Sequence, residues 1–132
     1  MKKILSIACM AIVVAAFASC KKEYITNVTP NQTYLVTITP SQWIRTKDGK
    51  ADSVSVKATA IDNFFNNNGA TLVYFSFFNG VYEQIPEVYN GTSYSYFHYT
   101  GNLVLYSQPV NGGTPVKPTS DIKVKLVLIP SE

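Results

Sequence analysis

Apolar and polar residues alternate with period two along most of the chain after Thr33, and this pattern restricts what it can fold into. Period two is the spacing of side chains on one face of a β-strand. In residues 33–39, Tyr34, Val36 and Ile38 share a face. In 53–60, Val54, Val56, Ala58 and Ala60 point one way and Ser55, Lys57 and Thr59 the other. In 121–129, Ile122, Val124, Leu126 and Leu128 oppose Lys123, Lys125 and Val127. Residues 71–78 are apolar on both faces, which fits a strand covered on both sides in the middle of a sheet. The lysines of 121–129 suit an edge strand, where charge blocks further pairing.

Turn chemistry divides these strands. Asn79-Gly80 is a strong hairpin signal, because a type I′ turn needs φ > 0 at both central residues. It predicts Phe78 opposite Val81, Phe77 opposite Tyr82 and Phe75 opposite Gln84. Val73, Phe75, Phe77 and Tyr82 would then share a core face, with Glu83 opposite Ser76 on a solvent face. A second hairpin joins 93–99 to 102–107 around Thr100-Gly101. One helical turn is expected where Asp62 can cap, Phe64 and Phe65 can pack inward and Gly69 can end it. Residues 108–119 carry Pro109, Gly112-Gly113, Pro115 and Pro118, a loop that cannot lie inside a sheet. The reading is therefore all-β: a single β-sandwich of about seven antiparallel strands with one short helical turn, spanning residues 33–132. A closed barrel would need more regular hairpins.

The N-terminus has a different character. Lys2 and Lys3 precede an uncharged apolar run from Ile4 to Phe17, and small residues follow. This is the layout of a secretory signal, and it is shorter than the ~20 apolar residues of a membrane span. Phe17-Ala18-Ser19-Cys20 resembles the lipobox of bacterial lipoproteins, with Phe17 in place of the usual Leu or Val. The resemblance implies cleavage after residue 19, acylation of Cys20 and a lipid anchor in the cell envelope, with Lys21-Lys22 pointing to the outer membrane. An ordinary cut near Ser19, leaving a soluble chain, is the bland alternative. Residues 20–32 read as a lipidated cysteine and tether.

Composition excludes several functions. Lys2 and Lys3 account for two units of the formal net charge of +3, and the remaining lysines are scattered, so nucleic acid is not an expected partner. Cys9 leaves with the signal and Cys20 is taken by lipid. The domain then has no thiol for a disulfide, a nucleophile or a zinc site. No cofactor and no metal are expected.

Ile61–Phe78, Asn79–Pro86 and Lys123–Pro130, taken with Ser19-Cys20 and Trp43, resemble a group of small Bacteroidetes lipoproteins. The likeness rests on Gly69–Tyr74, Ile85-Pro86 and Leu126–Pro130. It implies an envelope location and a β-rich fold, and it brings no activity and no active site.

No catalytic constellation is visible. His98, the sole histidine, lies among tyrosines with no nucleophile patterned beside it. Glu83 and Glu87 form a carboxylate pair of the kind glycosidases use, but a charged hairpin surface is the commoner meaning. Asp48 and Asp52 flank a polar turn too sparse for calcium. Asp52-Ser53-Val54 resembles a Bacteroidetes O-glycosylation acceptor, with Ser53 as the site. The best functional lead is aromatic: nine tyrosines and one tryptophan can stack on sugars or anchor partners, although strands also favour tyrosine for packing. Trp43, Tyr82, Tyr94 and Tyr96 are the candidate binding residues. The expected protein is a non-catalytic envelope module for a glycan, a peptide or an envelope partner. The alternatives are an assembly component that packs through the Lys123–Lys125 strand edge and, last, a carboxylate hydrolase.

Overall fold

The computed structural model describes residues 29–131. Cys20, the signal and the tether up to residue 28 lie outside the described residues. Two antiparallel sheets form a β-sandwich. Sheet I contains β1 (Gln32–Ile38), β9 (Ile122–Ile129), β4 (Ala70–Phe78) and β5 (Val81–Ile85), in that order. Sheet II contains β2 (Ile44–Arg45), β3 (Asp52–Lys57), β8 (Asn102–Pro109), β7 (Thr92–Tyr99) and β6 (Glu87–Tyr89). The chain passes between sheets through a 3-10 turn after β1, a short helix α1 (Asn63–Asn68) after β3, Pro86 after β5 and the long loop after β8.

The inner faces follow the alternation. Ile38, Val54, Val73, Phe75, Leu103, Leu105, Ile122, Val124, Leu126 and Leu128 are all buried and form one cluster between the sheets. β4 lies between β9 and β5, as its two apolar faces required. The Asp62 carboxylate accepts the Phe65 N–H at 2.7 Å and starts α1. Gly69 ends it, its N–H donating to the Phe65 carbonyl at 2.7 Å.

Five expectations need correction. β9 is an interior strand between β1 and β4, so Lys123 and Lys125 protect no edge; on the outer face of sheet I, Lys123 Nζ donates to Asn79 Oδ1 at 3.4 Å and Lys125 Nζ lies over the Tyr74 and Tyr82 rings. Phe65 is buried but Phe64 is exposed, because adjacent helical residues point about 100° apart. The Asn79-Gly80 turn is not type I′, since Gly80 has φ 81° but Asn79 is not in the left-handed region. A bulge between Phe75 and Phe78 then shifts the register, so Phe75 faces Glu83 and Tyr74 faces Gln84. That one-residue shift turns Tyr82 to the outer face, over the Lys125 ammonium at 4.4 Å, and turns Glu83 toward the inner face. Finally, β2 and β6 raise the strand number above seven; they span two and three residues, too few to show a period. The turn that launches β7 is Asn90-Gly91, with φ 48° and 75°, the type I′ signature.

Candidate functional site

The four predicted aromatics separate into three environments. Trp43 has no exposed surface. It follows the 3-10 turn where the chain drops from sheet I into sheet II, and its indole N–H has no acceptor among the described residues. It is a core residue, not a binding residue. Tyr94 and Tyr96 lie on the inner face of β7, opposite Ser107 and Leu105. Tyr94 is 6% exposed, and burial pushes its phenol above the ordinary range, the hydroxyls of Ser107 and Thr92 working against the rise and Glu87 adding to it. Tyr96 is half-buried and donates its hydroxyl hydrogen to the Thr71 carbonyl at 2.7 Å, tying sheet II to sheet I. Tyr94 is therefore nearly all buried in packing, and Tyr96 is committed to a structural bond. Tyr82 remains outside, but on sheet I under Lys125.

The residues considered for chemistry also take structural positions. His98 Nδ1 meets Asn66 Oδ1 at 3.1 Å and its ring packs on Phe65, docking α1. Asp52 is fully buried and accepts from Arg45 Nε at 2.8 Å, while Arg45 Nη2 also donates to the Pro115 carbonyl at 2.8 Å. Asp48 organises its turn: its carboxylate accepts from the Thr46 hydroxyl and the Lys50 N–H, and these bonds hold its pKa below the usual range. Partial burial, and then the charge of Glu83, push the Glu87 carboxyl up. One Glu87 oxygen is enclosed with no partner among the described residues.

A different set of aromatics is presented to solvent. On β7 the odd-numbered residues point outward, and they meet the outward residues of β8. Phe97 and Tyr99 are 45% and 47% exposed. Phe97 lies 5.6 Å from the Tyr106 ring and 6.2 Å from the Tyr99 ring, with interplanar angles of 33° and 29°. The three rings thus form a continuous, shallowly tilted row across the middle of sheet II. Polar side chains flank it through the strand register. Tyr106 stands between Ser53 and Ser95, and Tyr99 lies opposite Asn102, which faces Lys57 on the next strand. Ser53, the residue in the glycosylation-like tripeptide, is half-buried beside Tyr106 in this row. The parity of β7 settles which aromatics face out. The Thr100-Gly101 turn sets His98 opposite Leu103 and Tyr96 opposite Leu105, so the core leucines of β8 draw the even positions inward. That signal was available in the sequence, and the row of Phe97, Tyr99 and Tyr106 was missed without it.

A cleft of about 540 Å³ opens at one end of the sandwich, between Tyr89, Tyr94, Phe77 and the loop residues Lys117, Thr119 and Asp121. Its rings are largely spent on one another: Phe77 and Tyr89 stack at 4.4 Å with planes 8° apart, and Tyr94 is buried. It offers hydroxyls but few free aromatic faces. No protein-family model, curated protein or solved structure matches this chain.

Proposed function

We propose that this is a lipid-anchored envelope module that binds a glycan on the outer face of sheet II and carries out no chemistry there. The observation that carries the reading is the row formed by exposed Phe97 and Tyr99 with half-buried Tyr106. Aromatic faces stack on the apolar faces of sugar rings, and flanking hydroxyl and amide groups hydrogen-bond their hydroxyls. Ser53, Ser95 and Asn102 supply such groups at the borders of the row. The lipobox-like Phe17–Cys20 segment supports an anchor that would tether the domain to the envelope.

The test is a glycan array followed by calorimetry with the best ligand. Phe97→Ala and Tyr99→Ala each remove one stacking face, worth about 0.5–1.5 kcal/mol beyond the area it covers. Roughly tenfold weaker binding per substitution follows, at about 1.4 kcal/mol per tenfold. Stability should change little, since both side chains stand on the surface. An array without a ligand, or unaltered affinity in the double variant, refutes the reading. Palmitate labelling of the wild type but not of Cys20→Ala tests the anchor separately.

A further inference from the structure

Among the described residues four strands border the two sheets, β1 and β5 in sheet I and β2 and β6 in sheet II. Natural edges are blunted by shortness, charge, bulges or proline. β2 and β6 are two and three residues long. β5 carries Glu83 and pairs through a bulge. Among the described residues β1 has none of these protections. It runs seven residues, Gln32–Ile38, without charge, proline or glycine, in unbroken register with β9. Leu35 is 68% exposed. Beside β1 the sandwich is open, because β2 does not extend along it. A groove of about 250 Å³ lies there, lined among others by Tyr34, Val36, Val56, Ala58 and Leu126.

We propose that β1 is a self-association edge, which pairs antiparallel with the β1 of a second copy about a twofold axis through Leu35. The strand is complementary to itself in that register. Leu35 faces Leu35, Thr33 faces Thr37, and Tyr34 faces Val36. Threonine pairs and aromatic–β-branched pairs are favourable cross-strand neighbours, and a strand without charge brings no like charges into opposition. Tyr34 and Val36 of each copy lie on the inner face, at the mouth of the open groove. Lys125 flanks Leu35 on β9, but the two Lys125 residues would stand three strand spacings apart, about 14 Å. That exceeds the Debye length of about 8 Å at physiological salt, so their repulsion is screened. The arrangement is a closed twofold pair, which leaves neither β1 open. Sheet II and its aromatic row take no part in it.

Disulfide trapping in cells expressing the full chain tests the register, with the wild type as baseline for the native cysteines. Cα atoms of directly opposed antiparallel residues lie about 4.5–5.5 Å apart, within disulfide reach. Leu35→Cys should give an oxidant-dependent dimer of twice the chain mass. Thr37→Cys alone should not, because the two copies of residue 37 would be about 13 Å apart. Thr33→Cys and Thr37→Cys expressed together should restore the dimer. Leu35→Lys, an exposed substitution, should leave the melting temperature near that of the wild type and yield a monomer by light scattering. Failure of Leu35→Cys to cross-link, equal cross-linking by Gln84→Cys on β5, or trapping of a protein of another mass each overturns the proposal.

Discussion

Replacing Arg45 by methionine strands a buried charge, and the structure allows the cost to be worked out. Asp52 has no exposed surface, while the Arg45 side chain is 40% exposed. The guanidinium binds Asp52 Oδ1 through Nε at 2.8 Å and the carbonyl of Pro115, in the loop after β8, through Nη2 at 2.8 Å. Removing one partner of a fully buried ion pair costs about 3–5 kcal/mol, mostly because the survivor stays charged and dry. Water can reach the vacated Arg45 position, so the lower end applies, about 3 kcal/mol. For a domain of this size, that lowers the melting temperature by about 12–24 °C. Asp52→Ala leaves Arg45 free to turn to solvent, and should cost about 1–2 kcal/mol. The double variant has no buried charge left to strand. It should fall short of the sum of the singles by about 2 kcal/mol, within the range of direct contacts. Urea unfolding followed by fluorescence of Trp43, the single, fully buried tryptophan, measures all three. A loss below 1 kcal/mol for Arg45→Met, or strict additivity in the double variant, refutes the assignment of this pair as the clamp between the β2–β3 hairpin and the loop.

Two further perturbations have defined signs. Glu87 has its pKa raised by burial and by Glu83, so the folded state holds the proton more tightly than the unfolded chain does. Stability should therefore fall as pH rises from the ordinary carboxylate range through the raised value, and Glu87→Gln should flatten that slope and be the more stable form at neutral pH; urea midpoints between pH 4 and 7 read both. Glycines at two ends should respond for different reasons. Gly91→Ala meets no neighbour but must adopt φ 75°, costing about 1–2 kcal/mol, and Gly91→Asn should recover part of it. Gly69→Ala would place a Cβ 2.6 Å from the Phe65 ring, costing about 1–3 kcal/mol by overpacking and loosening α1, with thermal melts as the readout.

The fold was legible wherever one face of a strand was uniformly apolar. β1, β3 and β9 follow from Ile38, Val54 and the series Ile122 to Leu128, and the β7–β8 hairpin follows from Thr100-Gly101. Legibility failed where local chemistry allowed two solutions. At Asn79-Gly80 the same dipeptide serves a type I′ turn or a turn with only glycine in the left-handed region, and the choice moved Tyr82 from the core to the surface. β9 has an apolar and a lysine-bearing face whether it is an edge or a centre; its place was set by β1 and β4 pairing on either side, which is non-local. Trp43 sits between a 3-10 turn and a two-residue strand, where no alternation exists to place it. β7 is aromatic at both parities, so its candidate site could not be read from β7 alone; only the leucines of β8 break the tie.

The two outer faces show why the same residue type has different uses. Both sheets carry rings on their outer faces, but Tyr74 and Tyr82 of sheet I share a cation. The Lys125 ammonium lies 4.4 Å from the centroids of both Tyr74 and Tyr82, within the distance at which a cation is attracted to a ring. A sugar stacking there would have to displace that cation and forgo the attraction. On sheet II the positions around Phe97 are Val104, Ser55 and the neighbouring rings, and no cation–ring contact is found there among the described residues. The rings of sheet II contact one another instead of a cation, and Phe97 and Tyr99 keep nearly half their surface exposed. Tyrosine count alone could not separate these cases. Strand register does, because it decides whether lysine or serine stands beside each ring.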